Sequence, residues 1–468
     1  MLESLPIARQ TQERLAQHYL KKLQQANNAM TQIGVGNRSY WIKTIQQDWL
    51  QIKHWRDWSA MAEQTERARL CVDFCTTTVA ATSTQQTTLE TIDILQQGLQ
   101  AARLLNDWAS EGEILYMLGL NHLRLQQMAE TRSCAEALMG CGEKLQDGRM
   151  IGRAWYLLAC VSNSSGDFAT AETQYTRSRE LLEAVDPKEM VAVWAGFGHV
   201  AYFQGNYQES YDYHSKSMEQ ALLVNDEPNA AVAHLSLAGV CLQLKDVQQA
   251  LLHAQSTLSI SRKLSFLPLI PYALTMLANV NRQLGQLDEA RAYYEEVLGI
   301  TRATLSFNSI IMALTGLGRV YILQGDDDSA IIHFVDALKM AQENNIAIRI
   351  SSLSEELFRI YLSRGDISRA HEYLEALVAS AMALNTPRFY AKTVFAVATM
   401  KHSEGDSEQA AQWIGLLQQH AEHLDPNHFS EFSDALQATL GDERYAQAMA
   451  SGQSLMLDDI MRDLSDKL

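Results

Sequence analysis

The chain has 468 residues, with 38 Lys and Arg against 55 Asp and Glu, for a formal net charge of −17. That acidity repels phosphate backbones, so no direct nucleic-acid partner is expected. Seven prolines and a 47% apolar content exclude a disordered chain, and the most apolar run, residues 191–203, is too short to span a membrane and is broken by Gly196, Gly198 and His199.

In chain order, the opening Met1, Leu2, Glu3, Ser4, Leu5 and Pro6 show no basic region followed by an apolar stretch, so no secretory signal is predicted. The six cysteines (Cys71, Cys75, Cys134, Cys141, Cys160, Cys241) contain no CxxC pair and sit in apolar helical pattern, as reduced buried thiols do. A cytoplasmic protein is expected. Residues 7–30, 40–61 and 85–106 read as amphipathic helices, the second holding Trp41, Trp49, Trp55 and Trp58. Residues 1–106 stand outside the register described next and are predicted to form an N-terminal helical cap over the first repeat. An aromatic docking surface is the alternative reading.

From residue 107 to 424 one signature recurs. Gly166, Gly205, Lys245, Gly285, Gly325, Gly365 and Gly405 are spaced by 39 residues once and by 40 thereafter, and Gln126 holds the position in a degenerate earlier copy. Eight residues before each stands a large apolar side chain (Leu158, Phe197, Leu237, Leu277, Leu317, Leu357, Val397); seven before, usually Ala or Gly. These spacings define one face of a first helix, with the small residue predicted to let a neighbouring helix approach. The glycine ends that helix in the left-handed region, Asp or Asn often follows, and a second helix carries a buried Ala five residues on. Pro187, Pro228, Pro268, Pro387 and Pro426 fall just past the midpoint between one turn position and the next, which puts them at the joint between repeats.

This pattern resembles the tetratricopeptide repeat: a large-x-x-large-small core, a Gly turn and an Ala on the second helix, with a period about six residues longer than the usual 34. The predicted fold is all-α, a right-handed superhelical solenoid of about eight 40-residue helix pairs, with residues 425–468 as C-terminal capping helices. The ends carry a second resemblance. His18 and Tyr19, then Trp41, Ile45, Asp48, Trp49, Ile52 and Trp55, are similar to the segment that opens the sensor arm of STAND-class ATPase regulators of the maltose-regulator and antibiotic-regulator type. Leu440-Gly441-Asp442-Glu443-Arg444-Tyr445-Ala446 through Gly452, then Leu455, Leu457, Asp458, Asp459 and Ile460, resemble their terminal motif. The resemblance implies an arm that binds an inducer or inhibitor and holds an ATPase off. This sequence has no GxxxxGK[ST] loop and no DNA-binding module; an excised arm and a stand-alone arm both remain open.

No HExxH, GxSxG or GxGxxG element follows, so no catalysis and no cofactor are expected. His420, His423 and His428 read as surface histidines, because metal sites usually take three protein ligands. Asp326, Asp327 and Asp328 lack calcium-loop spacing and read as charge at a helix N-terminus.

The outward positions of the first helices lie three, six and ten residues before the turn. They place Asn279, Arg282, Arg319 and Arg359 on three consecutive repeats as a polar and basic ladder suited to carboxylate or phosphate. They also place Tyr156, His199 and Tyr202, with Phe203 next to Tyr202, at an aromatic end suited to a partner's apolar side chain. Glu355 stands four before Arg359 and within reach of Arg319, so internal pairing competes with ligand binding. The expected partner is a protein or peptide, or a small-molecule inducer. A stand-alone adaptor is the alternative, and the unpaired faces of the end helices would support a homodimer.

Overall fold

The computed structural model describes residues 6–31, 35–60, 65–82, 88–264, 266–304 and 307–467. Residues 1–5, on which the leader argument rests, lie outside these, as do residue 61 and residues 85–87 at the edges of two predicted helices. Four helices come first: α1 (Pro6–Thr31), α2 (Val35–Ala60), α3 (Thr65–Thr82) and α4 (Thr88–Leu104). Eight helix pairs follow. They are α5 (Trp108–Arg124) with α6 (Met128–Leu145), α7 (Gly148–Ser164) with α8 (Phe168–Leu182), α9 (Glu189–Phe203) with α10 (Tyr207–Leu223), and α11 (Glu227–Gln243) with α12 (Val247–Lys263). Then come α13 (Ile270–Gln283) with α14 (Leu287–Thr304), α15 (Phe307–Gln324) with α16 (Asp327–Glu343), α17 (Ala347–Ser363) with α18 (Ile367–Leu384), and α19 (Pro387–Ser403) with α20 (Ser407–Leu417). A 3-10 turn (Gln418–His423), α21 (Pro426–Leu440), α22 (Asp442–Gly452) and α23 (Leu457–Lys467) close the chain. No strand occurs among the described residues. No helix among them is long and apolar enough to cross a membrane.

The turns explain the period. Gly166, Gly205, Gly285, Gly325, Gly365 and Gly405 all have φ between 71° and 96°, and Lys245 (62°) and Gln126 (59°) adopt the same left-handed conformation. Asp167, Asp246, Asp326, Asp366 and Asp406 then cap the second helix, each side chain accepting a backbone N–H three residues on. A second left-handed residue, not anticipated from sequence, falls midway between successive first turns: Gln146, Asn225, Asn345 and Asn385. Each repeat is therefore two half-units of one helix and one short turn. The helix is 17 residues long in α10, α11 and α12, and two such half-units account for a period longer than that of the usual tetratricopeptide repeat.

Packing follows the register. Leu237, Leu277, Leu317 and Leu357 are buried, as are Ala171, Ala250, Ala290, Ala330, Ala370 and Ala410. The small residues do more than bring helices together: they make room for rings. A Cβ on Gly198 would sit 2.7 Å from His214 Nε2, and one on Gly318 would meet Phe334; Gly196 and Gly316 face the rings of Tyr175 and Tyr294. All four rings stand nine residues after a turn and are buried.

Helix α3 is absent from the sequence reading. Its Leu70 and Phe74 join Leu20, Leu23, Ile52 and Trp55 in one apolar cluster against α1 and α2, with Trp41, Trp49 and Trp58 packed on it. The tryptophans are core-facing. All six cysteines are free and buried.

The chain divides into two compact units, residues 1–269 and 270–468. In the second, a continuous apolar cluster runs from Ile311 to Leu464. There α22, not α21, packs along α20. The backbones cross so closely that a Cβ on Gly415 or Gly452 would collide with the carbonyl oxygen of Met449 or Gln412. Helix α21 is left largely exposed, with Leu436 its buried residue.

Candidate recognition groove

In the first unit, the outward faces of α5, α7 and α9 are joined by charge. Arg153, 6% exposed, donates from Nη1 to Glu113 at 2.8 Å and from Nε to Glu189 at 2.8 Å. Its guanidinium lies 4.3 Å over the Tyr116 ring. Arg149 reaches Asp186 at 3.2 Å and Glu189 at 3.4 Å, and the Tyr116 hydroxyl donates to Glu189 at 3.2 Å. Burial pushes the Tyr116 hydroxyl up, and the Glu189 charge adds to that.

The aromatic residues expected here divide among separate contacts. Tyr156 is half-buried, its ring 6.0 Å from Tyr175. The Tyr175 hydroxyl stands 3.3 Å from Cys160 Sγ. Tyr202 meets Phe203 and Tyr207 edge-on at 5.7 and 5.5 Å, and exposed Phe203 stacks on Phe168 at 6.3 Å. His199 is exposed at its surface yet has protein packed around its ring, which lowers its pKa. Its ring lies 5.1 Å from that of His214. Burial, then the neighbouring His199, push His214 down to about 3.

In the second unit, Asn279 Oδ1 accepts from the Tyr294 hydroxyl at 2.7 Å. Burial raises that hydroxyl's pKa, and the nearby Arg282 opposes the rise. Arg319 Nε donates to Glu356 at 2.8 Å, not to Glu355. Glu355 instead meets Lys392 at 3.5 Å, not Arg359. Glu355 and Glu356 differ by about 100° around the helix, and that rotation decides which of them faces the preceding repeat. Arg359 is exposed and opposite Asp425. The backbone N–H of His428, then the charges of His428 and Arg359, hold the Asp425 carboxyl below its usual range.

Two sets of residues escaped the three outward positions. Glu113, Arg153 and Lys392 stand 13 before a turn position, and Arg149, Glu189 and Arg349 stand 16 or 17 before, further turns along the same face. Arg349 is half-buried with no carboxylate partner among the described residues. Burial and the neighbouring Arg319 push its pKa down.

A cavity of about 610 Å³ opens between α15, α17, α19 and the start of α21. Ile322, Leu362 and Phe395 supply apolar wall; Arg359, Lys392 and Asp425 supply charge. Among the described residues no group of three His, Cys, Asp or Glu side chains could hold a metal. His420 and His423 rings stack at 6.4 Å. Asp327 and Asp328 pair with Arg364 at 3.4 and 2.8 Å.

No curated protein matches the chain. Among solved structures, it is similar to a Rap protein complexed with competence and sporulation factor, at 17% identity and a TM-score of 0.54, over 77% of this chain and 100% of that one. It is also similar to a signal transduction ATPase with numerous domains (STAND) that carries a tetratricopeptide repeat sensor, from Pyrococcus horikoshii. That likeness is at 14% identity and a TM-score of 0.53, over 80% of this chain and 54% of that one. Both show a shared helical-repeat fold. The model of the MalT-like TPR region matches residues 198–455, more than half of the chain. The turn residues, the paired helices and this match agree: the chain belongs to the MalT-like TPR region family.

Proposed function

We propose that the chain is a non-catalytic sensor or regulatory arm that holds a peptide or protein segment, or a small inducer, in the groove of its second unit. The observation that carries this reading is the cavity of about 610 Å³ at the groove register, a size suited to a short peptide segment or a small ligand. It pairs apolar wall at Phe395 and Leu362 with an exposed guanidinium, Arg359, that has no hydrogen-bond partner among the described residues. A guanidinium so placed takes a carboxylate in fork geometry. Asn279, Arg282 and the half-neutralised Arg319 extend the polar strip. The solved Rap protein is complexed with competence and sporulation factor, which supports a factor-binding role for this fold. In this reading residues 1–106 and 425–468 act as caps, and Tyr156, His199, Tyr202 and Phe203 are a secondary contact.

The test is selection of a random phage-displayed peptide library on the immobilised full chain, against the Arg359→Glu variant in parallel. Peptides enriched on the native chain and lost on the variant are the expected result. Absence of any enrichment, or enrichment equal on both, overturns the reading.

A further inference from the structure

Helix α21 packs on outward positions of α19. Phe395 and His402 stand ten and three residues before the Gly405 turn, at outward groove positions. Phe429 of α21 packs on Phe395 at 6.1 Å between ring centroids, and Phe432 packs edge-on against Phe395 and His402, both at 5.6 Å. Asp425 caps α21 by accepting the N–H groups of Asn427 and His428, each at 3.0 Å. It also lines the cavity with Arg359. The three contacting residues fall at i, i+4 and i+7, one stripe of a helix.

Leu436 is the helix's one fully buried side chain; Phe429, Phe432 and Leu440 are half-buried against the apolar cluster, and Ser433 bonds Tyr445 of α22 at 2.5 Å. Leu424 before it is extended, and Gly441 after it has φ 79° and ψ 160°. Both flanking residues are thus outside helical geometry. The more extensive packing of a following helix on α20 is that of α22.

We infer that α21 is a resident occupant of the recognition groove, and that the partner displacing it is an amphipathic helix of the same pattern, a carboxylate at its N-cap followed by aromatic side chains four and seven residues on. This inference rests on the groove reading above and names the partner's chemistry. Helix-in-groove recognition reads such i, i+4, i+7 anchors. The resident copy makes binding a competition, so the apparent affinity falls by the fraction of groove left open.

The probe is a fluorescein-labelled synthetic peptide of residues 424–440, titrated by anisotropy into the full chain. Phe429→Ala with Phe432→Ala should release α21, and the probe should bind that variant at least tenfold more tightly than the native chain. Adding Arg359→Glu should remove the gain. Equal affinity for native chain and double variant, or a gain indifferent to Arg359→Glu, overturns the inference. If the double variant loses helicity, Phe432→Ala alone is read in the same assay with the same two outcomes. The peptide library separates the failures. Groove-dependent peptides lacking the carboxylate–aromatic–aromatic pattern leave the recognition reading standing and overturn the resident occupant alone, whereas no enrichment overturns both.

Discussion

The two units share one repeat register and use its outward face differently. In the first, Arg153 fills the space between Glu113 and Glu189 and links three repeats, while Arg149 Nε and Asn163 Oδ1 on the same face have no hydrogen-bond partner among the described residues. In the second, Arg319 is matched by Glu356, but Arg349 has no carboxylate partner among the described residues and Arg359 faces a cavity across which stands Asp425, with no hydrogen bond between them. Buried charge that is fully paired fixes adjacent repeats to each other; charge left unpaired in a concave face is available to something else. The lesson is that a repeat register identifies which positions face the groove. Occupancy by self or by ligand depends on which residues stand at those positions in neighbouring repeats.

The largest effect expected from this comparison is at Arg153. Arg153→Met leaves Glu113 and Glu189 with Arg149 alone, at 3.7 and 3.4 Å, and should destabilise the first unit by about 3 kcal/mol. Urea denaturation of the full chain, followed by fluorescence of the first unit's tryptophans, reads it. A loss below about 1 kcal/mol would mean that the network is a solvated surface pair.

Next is a pH response in the first unit. His214 is 1% exposed and its pKa lies near 3, below the roughly 6.5 of an unfolded histidine. The unfolded chain therefore takes up the proton first as pH falls. The stability held by neutral His214 is complete above about pH 6.5 and is lost progressively toward pH 3, at up to about 1.4 kcal/mol per unit. Between pH 7 and 5 the loss should be about 2 kcal/mol. His214→Phe should remove its share of that slope, since Gly198 admits the ring as Gly318 admits Phe334, and leave the part set by His199, His234 and His253, whose pKa values burial also lowers. An unchanged slope would assign the acid sensitivity to other groups.

At Arg349 the sign should reverse relative to Arg153. A half-buried guanidinium without a carboxylate gains little from folding, so Arg349→Leu should be neutral or stabilising by up to about 1 kcal/mol. Destabilisation of the second unit by about 2 kcal/mol or more, the scale of a lost buried interaction, would reveal a structural role for this side chain and weaken the contrast between the grooves.

What the sequence made legible was whatever the backbone demands in every repeat. The turn glycines, the Ala five residues on and the large residue eight before are set by φ sign and by available volume, and they recur because the demand recurs. The groove's chemistry was legible only in part. Adjacent residues on a helix point about 100° apart, so Glu356 rather than Glu355 meets Arg319. Glu113, Arg153 and Arg349 lie one or two helical turns beyond the outward positions three, six and ten residues before the turn. The displacement of α21 was not legible, because it depends on whether α21 or α22 can cross α20 closely, and that is decided by Gly415 and Gly452 in three dimensions.

The smallest expected effect concerns the turns themselves, where the units also differ. In the second, all four first turns carry glycine: Gly285, Gly325, Gly365 and Gly405. In the first, Lys245 at φ 62° and Gln126 at φ 59° hold the same left-handed geometry with a Cβ present, which costs about 1–2 kcal/mol per L-residue. Replacing Lys245 by glycine relieves that but adds chain entropy to the unfolded state, which offsets about half of the gain. Lys245→Gly should therefore stabilise the first unit by about 0.5–1 kcal/mol, with the Asp246 cap intact. Gly285→Lys should destabilise the second by a similar amount. Thermal melts of the pair settle whether the turn geometry or the side chain governs. Equal and opposite shifts mean that the left-handed backbone alone is being read. A loss at Lys245→Gly would mean that the lysine stem contributes packing that the glycine turns of the second unit do without.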